Sequence, residues 1–427
     1  MQIIKYPPKK KWEQIVSRPA FDTTHLFDLV KKVLDDVKAR GDEAVKEYGL
    51  QFDKVQLNQL EVSKEEKKRA IDLVSDELKQ AIVAAKNNIF AFHAAQKQDF
   101  AKIETSKGVT CWQKSSPIEK IGLYIPGGTA PLFSTVLMLA VPAKIAGCKE
   151  IILCTPPMNA DGETHPAILF AAETAGVDRI FKIGGIQAIG AMAYGTDSVP
   201  KVYKIFGPGN QYVTAAKQLV SLKEVAIDMP AGPSEVEVIA DDSAHPEFVA
   251  ADLLSQIEHG NDSQAILLTT SETLAGKVVE EVNKQLKQLQ RKAFVESSLS
   301  NSKIIILKND DEMIELTNLY APEHLIIETS NYNELAEKVV NAGSVFLGHY
   351  TPESAGDYAS GTNHTLPTNG YAKAYSGVNL DSFVKKITFQ EITKEGILSL
   401  GATIEIMAEN ELLDAHKNAV TLRMKHN

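Results

Sequence analysis

Between residues 120 and 347 the chain alternates short apolar runs with longer helical segments, and this alternation limits the fold more than any other feature. The first series of strands and helices is predicted at 120–125, 132–146, 150–154, 166–175, 179–183, 186–193, 201–206, 211–219 and 224–227. The second series is predicted at 234–240, 245–258, 265–268, 273–290, 304–307, 313–319, 325–327, 332–341 and 344–347. Strands that alternate with helices form parallel sheets covered on both faces. We therefore expect an α/β fold with two Rossmann-like domains, each built on a parallel sheet.

The segments on either side of this alternation are predicted to be helical. Apolar residues recur every three or four positions in 23–98, and Ser63 with Glu66 forms a capping box at the start of one helix. The stretch 409–425 reads as an amphipathic helix suited to docking. We expect four parts: an N-terminal arm at 1–22, a discontinuous α/β domain at 23–117 plus 234–375, a second α/β domain at 118–233, and a C-terminal helical tail at 376–427.

Charge and cysteine content exclude several kinds of partner and compartment. The chain has 45 Lys and Arg against 55 Asp and Glu, a formal charge of -10 with the signs interspersed, which argues against nucleic acid or a membrane as a partner. The short basic cluster at 9–11 is predicted to lie in a solvated arm. The most apolar stretch, 132–146, is interrupted by Pro142 and Lys144, and the N-terminus lacks the apolar core of a secretory signal. Three cysteines without a CxxC pair fit a reducing compartment, so we expect a soluble protein of the cytoplasm.

Three glycine-rich turns follow predicted strands of the first series, at 124–128, 184–187 and 207–210. In an open parallel sheet, ligands bind beyond the carboxyl ends of the strands, where amides at the start of the next helix face an anion. None of the turns has the GxGxxG pattern, and 155–157 reads Thr-Pro-Pro where a dinucleotide site usually has a ribose-binding acid. Three such turns at one sheet edge favour a ligand pocket; glycines that only make tight turns are the alternative.

The segment 352–364 has the composition of a site. It is rich in small residues, shows neither helical nor strand periodicity, and carries a carboxylate at Asp357 and an imidazole at His364. Gly356 and Gly361 allow the backbone to fold tightly around a small ligand. The segment is therefore predicted to form part of a site, and a mobile surface loop is the alternative.

Side chains that bind metal ions recur in the second half of the chain. Gln256 and His259 are three residues apart at the end of a predicted helix, so both lie on one face of it. Asp357, His364 and His416 supply further candidate ligands, and four mixed nitrogen and oxygen donors suit zinc or manganese. Glutamine is an uncommon zinc ligand, and a histidine at a helix end also interacts with the helix dipole. The pair at 256 and 259 alone therefore leaves a purely structural role open.

Glu323 and His324 are adjacent at the start of a predicted strand, after Pro322. In the middle of a strand the two side chains would face opposite sides, but at its start both can project into one crevice. Histidine titrates near neutral pH and glutamate can activate water, so the pair is a candidate general acid and base. An exposed loop pair is the alternative. The same residues also suit a zinc-dependent hydrolase, and the pocket-forming loops suit a ligand-binding protein without catalytic activity.

Six motifs together closely resemble histidinol dehydrogenase. They are YIPGG at 124–128, FGPGN at 206–210, MPAGPSE at 229–235, SQIEHG at 255–260, PEHL at 322–325 and AGDYASGTNH at 355–364. The similarity extends to AHKNAV at 415–420 and runs along essentially the whole chain. Because the motifs are long, ordered and unrelated to general fold signals, the resemblance is specific.

The resemblance implies an enzyme of histidine biosynthesis that oxidises L-histidinol through L-histidinaldehyde to L-histidine. It implies NAD as the acceptor of two hydrides and one bound Zn²⁺ per subunit, with Mn²⁺ as a substitute. The implied zinc ligands are Gln256, His259, Asp357 and His416, and the implied acid and base residues are Glu323 and His324. The implied substrate contacts are these four ligands together with Ser234, His324, His364 and Glu411, and the implied NAD contacts are Tyr124, Gln187 and Asn210.

The resemblance also assigns roles to the predicted domains. NAD is expected on 118–233, and the metal and the acid and base residues are expected on the discontinuous domain. The family is a homodimer, so the tail at 376–427 is expected to dock on the partner subunit, where His416 completes the partner's site. We expect His324 to act as the base, Glu323 to activate water for the aldehyde step, and zinc to orient the substrate. The cysteines are not beside the acid and base pair in sequence, so a thiol nucleophile is not expected.

Overall fold

The computed structural model of the chain describes residues 1–19, 24–127, 130–158, 162–229, 232–289 and 292–426. Its strands are β1 Gln2–Lys5, β2 Ile103–Ser106, β3 Val109–Pro117, β4 Lys120–Tyr124, β5 Glu150–Thr155, β6 Arg179–Lys182, β7 Lys204–Phe206, β8 Ala226–Ile227, β9 Glu235–Ala240, β10 Gln264–Thr269, β11 Lys303–Ile306, β12 His324–Glu328, β13 Ser344–Leu347 and β14 Val384–Ile392. Its α-helices are α1 Trp12–Ile15, α2 Phe27–Arg40, α3 Asp42–Tyr48, α4 Lys64–Leu73, α5 Asp76–Ala94, α6 Phe133–Ala146, α7 Pro166–Ala175, α8 Gly185–Tyr194, α9 Gln211–Ser221, α10 Pro246–Ile257, α11 Glu272–Gln285, α12 Lys292–Leu299, α13 Asp310–Tyr320, α14 Tyr332–Ala336, α15 Glu353–Tyr358, α16 Lys394–Asn410 and α17 Asp414–Lys425.

Two parallel sheets organise the chain, which confirms the predicted α/β fold. A five-stranded sheet has the order β6-β5-β4-β7-β8, and a six-stranded sheet has the order β1-β11-β10-β9-β12-β13. Every strand pair in both sheets is parallel. In the five-stranded sheet the chain adds strands on one side of β4 and then on the other. The strand order therefore reverses between β4 and β7, which is where an open α/β sheet binds its ligands.

Each sheet is buried on both faces because its strands carry apolar side chains in both directions. In β4, Ile121 and Leu123 belong to one core cluster, and Tyr124 belongs to the cluster on the opposite face. In β12, Ile326 faces one core and Leu325 faces the other. Near-continuous apolar strands of this kind require helices on both sides. The α-helices of the alternating series provide that cover.

The helices that precede the alternating series cover the five-stranded sheet. Helix α2 contacts α8 and α9, α4 contacts α7, and α5 contacts α6. This packing differs from the predicted grouping of 23–117 with 234–375, because these helices share a core with the sheet of 118–233. Amphipathic periodicity shows that one face of a helix is buried but not which sheet lies beneath it. The precise domain boundaries stay a prediction.

The predicted N-terminal arm is in part a strand of the six-stranded sheet. Strand β1 pairs with β11 at the sheet edge, with Ile3 opposite Ile304. The basic cluster at 9–11 is exposed as expected, but the next residue, Trp12, is buried and its indole N–H donates to the carbonyl of Pro7 over 3.1 Å. The arm is therefore fixed to the sheet by a backbone ladder and one aromatic anchor.

The C-terminal tail contains a strand as well as the predicted helical part. Strand β14 pairs with β3 in antiparallel register along nine residue pairs, and β2 completes this three-stranded sheet. Helices α16 and α17 then pack against each other. Apolar side chains remain exposed on this hairpin: Leu398, Ile406, Met407, Leu412 and Leu422. None of the helices described is long and apolar enough to cross a membrane.

Candidate functional site

The predicted acid and base pair lies at the amino end of strand β12, beside the amino end of β9. Glu323 and His324 are 6% and 3% exposed. The backbone N–H of Glu235 donates to Glu323 over 2.9 Å, and the carbonyl of Glu235 lies 3.3 Å from Nδ1 of His324. One residue of β9 therefore fixes both members of the pair. Ser234, a predicted substrate contact, immediately precedes this residue at the same strand end.

The side chain of Glu235 is held in turn by Arg18. The guanidinium of Arg18 binds both carboxylate oxygens of Glu235, one of them over 2.9 Å, and donates to the carbonyls of Tyr320 and Ala321 over 2.8 and 3.3 Å. Ala321 has a φ of 55°, a left-handed conformation that turns the chain into Glu323. Arg18 also lies over the Tyr320 ring, 3.9 Å from its centroid. We call Arg18, Glu235 and Tyr320 the Arg18 clamp.

His324 lies among three carboxyl groups. Its Nδ1 is 3.6 Å from Glu323 and 3.9 Å from Glu353, and its Nε2 is 3.7 Å from Asp357. Within the described residues, Nε2 is buried and has no hydrogen-bond partner. A buried ring nitrogen without a partner is costly unless a ligand completes it, so this atom points to a bound group.

Three of the four predicted metal ligands meet at this centre. His259, Glu353 and Asp357 each offer one ligand atom, and these atoms lie within 4.8 Å of one another. The buried amide of Gln256 is 3.4 Å from Glu323, and with its oxygen and nitrogen exchanged it donates to Glu353 and accepts from the backbone N–H of Glu235. The nitrogen and oxygen donors of this set suit zinc or manganese, so the residues present fit a divalent cation.

Glu353 is the residue at this centre that the sequence does not reveal. The segment 352–364 is predicted without helical periodicity, yet its first part forms the short helix α15, Glu353–Tyr358. Glu353 and Asp357 are four residues apart and therefore lie on one face of that helix. Their spacing is the only signal in the sequence that would place Glu353 beside Asp357.

Burial and mutual charge shift the pKa values of the pair. Burial raises the pKa of Glu323 to about 8. For His324, burial acts to lower the pKa, but Glu353, Glu323 and Asp357 outweigh it and raise the pKa to about 10. For Asp357, burial acts to raise the pKa, but the imidazole of His324, 3.7 Å away, and the imidazoles of His364 and His259 lower it. The three carboxyl groups around His324 therefore favour the protonated form of its imidazole.

His364 connects this centre to the other sheet. Its Nδ1 is 2.9 Å from the carbonyl of Asp357, and its Nε2 is 3.1 Å from the hydroxyl of Thr135 on α6. The amide of Asn363 donates to the carbonyl of Met138 on the same helix over 2.6 Å. The site therefore lies where the helices of the five-stranded sheet meet the amino ends of β9 and β12.

Two predicted site residues lie away from the centre within one chain. Glu411 and His416 are exposed in the C-terminal hairpin, Glu411 just after α16 and His416 on α17. Neither belongs to the described group of metal-binding side chains. The single chain therefore brings together Gln256, His259 and Asp357 but not His416.

The three predicted NAD contacts line one cavity of about 500 Å³ at the carboxyl edge of the five-stranded sheet. Tyr124 accepts a hydrogen bond from the N–H of Gly185 over 3.1 Å. Asn210 caps α9, since its side chain accepts from the N–H groups of Tyr212 and Val213. Gln187 is fully buried and neither polar atom of its amide has a partner among the described residues. A cavity of this size with an unpaired amide fits a ligand of nucleotide size.

Glycine is required where the turns of this cavity approach each other. A Cβ on Gly207 would lie 2.0 Å from the carbonyl oxygen of Tyr124, and the φ of Gly207 is +124°. A Cβ on Gly127 would lie 2.1 Å from Cγ of Pro156. Contacts this close leave no space for a Cβ at either position. Gly128, the last residue of the first predicted turn, and the predicted boundary residues 230–231 lie outside the described residues.

Comparison with known proteins identifies the family. The histidinol dehydrogenase family matches residues 16–424. The chain is 68% identical over 424 residues to the histidinol dehydrogenase of Bacteroides thetaiotaomicron, with 99% of each chain covered. It is 54% identical to that of Escherichia coli strain K12, over 96% of this chain and 94% of the relative. The chain belongs to the histidinol dehydrogenase family.

The known structure of a histidinol dehydrogenase agrees with the fold described above. The crystal structure of the enzyme from Elizabethkingia anophelis has a TM-score of 0.98 and 56% sequence identity, with 100% of this chain and 98% of that chain covered. The resemblance drawn from the six motifs is therefore confirmed. As a member of the histidinol dehydrogenase family, the chain is an oxidoreductase.

Proposed function

We propose that this protein catalyses the four-electron oxidation of L-histidinol to L-histidine with two molecules of NAD, at a site that holds one zinc ion. The observation that carries the proposal is the position of His324, which lies 3.6 Å from Glu323 and 3.7 Å from Asp357, beside the buried amide of Gln256. A base, a water-activating carboxylate and a metal-binding set are what the two oxidations require.

The chemistry consists of two hydride transfers. In the first, the alcohol carbon loses hydride to NAD and the hydroxyl group loses a proton, which gives L-histidinaldehyde, NADH and H⁺. In the second, water adds to the aldehyde and the hydrate loses hydride to a second NAD, which gives the carboxylate, NADH and two protons. Each oxidation needs a group that accepts a proton from oxygen.

His324 is assigned as that group in both steps. Its Nε2 is buried and unpartnered, so it is free to meet a substrate hydroxyl. Glu353 and Asp357 raise its pKa, and these carboxylates also face the proposed metal position. When bound, zinc supplies positive charge that offsets these carboxylates and holds the nitrogen and oxygen atoms of the substrate in place. Once the negative charge of these carboxylates is offset, the pKa of the His324 imidazole is expected to lie closer to neutral pH.

Glu323 is assigned as the residue that activates water for the aldehyde step. Its carboxyl group is buried and its pKa is raised to about 8, so its carboxylate is a stronger base than that of an exposed glutamate. A cysteine nucleophile is the other route to aldehyde oxidation. Cys148 and Cys154 are buried in the cores of the five-stranded sheet, and burial raises the pKa of Cys148 to about 11. Neither thiol contacts the acid and base pair.

The fourth zinc ligand is proposed to come from a second subunit. His416 lies on α17 in the C-terminal hairpin, whose apolar side chains face solvent. Leu412, in the turn between α16 and α17, is 87% exposed. An exposed apolar hairpin that carries metal-binding residues suits docking on another copy of the chain. We therefore propose a homodimer in which the hairpin of one subunit reaches the His259 centre of the other.

The test is a stoichiometric assay on the purified enzyme with zinc bound. L-histidinol at a limiting concentration and NAD in excess should yield two NADH per histidinol, together with L-histidine. One NADH per histidinol would mean that the aldehyde step is absent. No NADH, with hydrolysis of an ester or amide substrate instead, would favour the zinc-dependent hydrolase. A parallel assay with the H324Q variant, which lacks the base assigned to both steps, separates enzyme-dependent oxidation from any contaminant.

A further inference from the structure

The dinucleotide cavity lacks an acidic residue at the position where such sites usually carry one. In a Rossmann sheet, a carboxylate at the end of the second strand accepts hydrogen bonds from the ribose hydroxyls of NAD. Here the strand order is β6-β5-β4-β7-β8, so β5 holds the position of the second strand. Strand β5 ends at Thr155 and continues into Pro156 and Pro157, neither of which can accept such a bond through its side chain.

A carboxylate reaches the same place from a distant part of the chain. Asp53 ends a π-helical turn, Gly49–Asp53, after α3, and lines the cavity together with Pro156 and Gly185. Its Oδ1 lies 3.3 Å from the position that a Cβ on Gly184 would take, and Cβ of Pro156 lies 2.7 Å from that same position. The carboxyl group of Asp53 is therefore beside the carboxyl ends of both β5 and β6.

Within the part of the chain that the structure describes, this carboxyl group has no partner. Among the described residues, no hydrogen-bond donor or cation contacts the Asp53 side chain, which is only partly exposed. Burial alone raises its pKa to about 6. A partly buried carboxylate without a partner is unfavourable and is expected to gain from hydroxyl donors on a ligand.

The described residues that line the rest of the cavity carry no positive charge. The residues that line it are Leu29, Phe52, Asp53, Tyr124, Gly127, Pro156, Pro157, Gly185, Ile186, Gln187, Asn210 and Tyr212, and none of these described residues is Lys or Arg. A site for NADP needs a cation to accommodate the 2′-phosphate, whereas a site for NAD needs an acceptor for the 2′-hydroxyl. Among its described residues, the cavity has an acceptor for the 2′-hydroxyl and no cation for a 2′-phosphate.

We propose that Asp53 is the specificity-determining residue of the cofactor site: it binds the ribose hydroxyls in the adenosine half of NAD and excludes the 2′-phosphate of NADP. This inference rests on the proposed use of NAD in this cavity. The acid that the end of β5 lacks is thus supplied by the helical segment before α4. A carboxylate gains two hydroxyl hydrogen bonds with NAD, and repels a phosphate in the same place.

The experiment compares cofactors in the full-length, zinc-bound enzyme with saturating L-histidinol. The wild type should show kcat/KM for NAD at least about 100-fold above that for NADP, a gap of about 2.7 kcal/mol. The D53N variant should lose about tenfold in kcat/KM for NAD through KM, with kcat little changed, and should gain for NADP because the repulsion is removed. The matched control is D99N, which removes the same charge from an exposed position.

A binding measurement keeps the inference testable if D53N folds poorly. Calorimetry on the wild type should show adenosine 5′-monophosphate binding at least about tenfold more tightly than adenosine 2′,5′-bisphosphate. Equal affinity for the two nucleotides would overturn the assignment. An unchanged preference between NAD and NADP in folded D53N, or an equal loss with both cofactors, would also overturn it. If the wild type forms no NADH from L-histidinol, it is the proposed function that fails, and the nucleotide comparison still decides the role of Asp53.

Discussion

The Arg18 clamp provides a prediction whose size follows from the structure. Replacing Arg18 with Met preserves the apolar stem of the side chain and removes the guanidinium. The carboxylate of Glu235, whose side chain is 3% exposed, then loses its only cation among the described residues. The carbonyls of Tyr320 and Ala321 also lose a donor. Because the backbone of Glu235 fixes Glu323 and His324, the loss is expected to reach the acid and base pair.

The expected magnitude is that of a broken buried ion pair. Removing one partner of such a pair costs about 3–5 kcal/mol because the other charge stays buried without compensation. The R18M/E235Q double variant removes that charge as well and should recover about 2 kcal/mol or more relative to R18M. In contrast, Arg69 and Glu163 form an exposed pair at 2.8 Å, with side chains 61% and 46% exposed. The control R69M should therefore change stability by less than about 1 kcal/mol.

Urea denaturation of the wild type, R18M, E235Q and the double variant gives the coupling energy, and R69M gives the control. In folded R18M, kcat for histidinol oxidation should fall about tenfold or more, since small displacements of catalytic groups have effects of this size. Two results would refute the reasoning: an R18M variant as stable as R69M, or a double variant no more stable than R18M. If folded R18M keeps the kcat of the wild type, the Arg18 clamp does not contribute to catalysis.

Four further predictions follow from the described geometry. The E323Q variant should slow oxidation of added L-histidinaldehyde more than oxidation of L-histidinol, and equal losses in stopped-flow traces would remove its water-activating role. Replacing Cys111, Cys148 and Cys154 together with Ala should leave kcat largely intact, whereas a folded but inactive triple variant would restore the thiol mechanism. The H416N variant should lower zinc content measured by atomic absorption, and full occupancy would show that this histidine is not a ligand. Burial raises the pKa of Asp53 from 3.8 to about 6, so the folded state binds this proton more tightly than the unfolded state and Asp53 lowers stability as pH rises through that window. The D53N variant should therefore raise the melting temperature of the enzyme without NAD more at pH 7.5 than at pH 4. An equal rise at both pH values would contradict the raised pKa.

Local sequence signals are sufficient for the parts of the site that lie at the ends of strands. Glu323 and His324 are predicted at the start of a strand, and β12 begins at His324. The turns at 184–187 and 207–210 follow strands as predicted, and Tyr124, Gln187 and Asn210 meet in one cavity. The turns and the cavity residues lie together because the carboxyl ends of parallel strands share one sheet edge, whichever residues lie between them. Glu323 and His324 lie instead at the amino end of β12, where the proline before them marks the start of the strand.

Residues brought in from distant segments are not predicted from the sequence. Asp53 lies about a hundred residues before Pro156, and only the packing of α2 and α3 on the five-stranded sheet brings it to the cavity. Glu353 is hidden because the small residues around it lack the periodicity of a helix, although α15 forms there. In both cases tertiary contacts, not local propensity, decide the position of a carboxylate.

The central claim is that distant polar segments close around one divalent ion beside His324. Anomalous X-ray diffraction at the zinc edge, from crystals of the zinc-bound enzyme, tests it most directly. We expect one strong peak per subunit, coordinated by Gln256, His259 and Asp357 of one chain and by His416 of the partner subunit. A peak at another position, or coordination that excludes Gln256 and His259, would contradict the account.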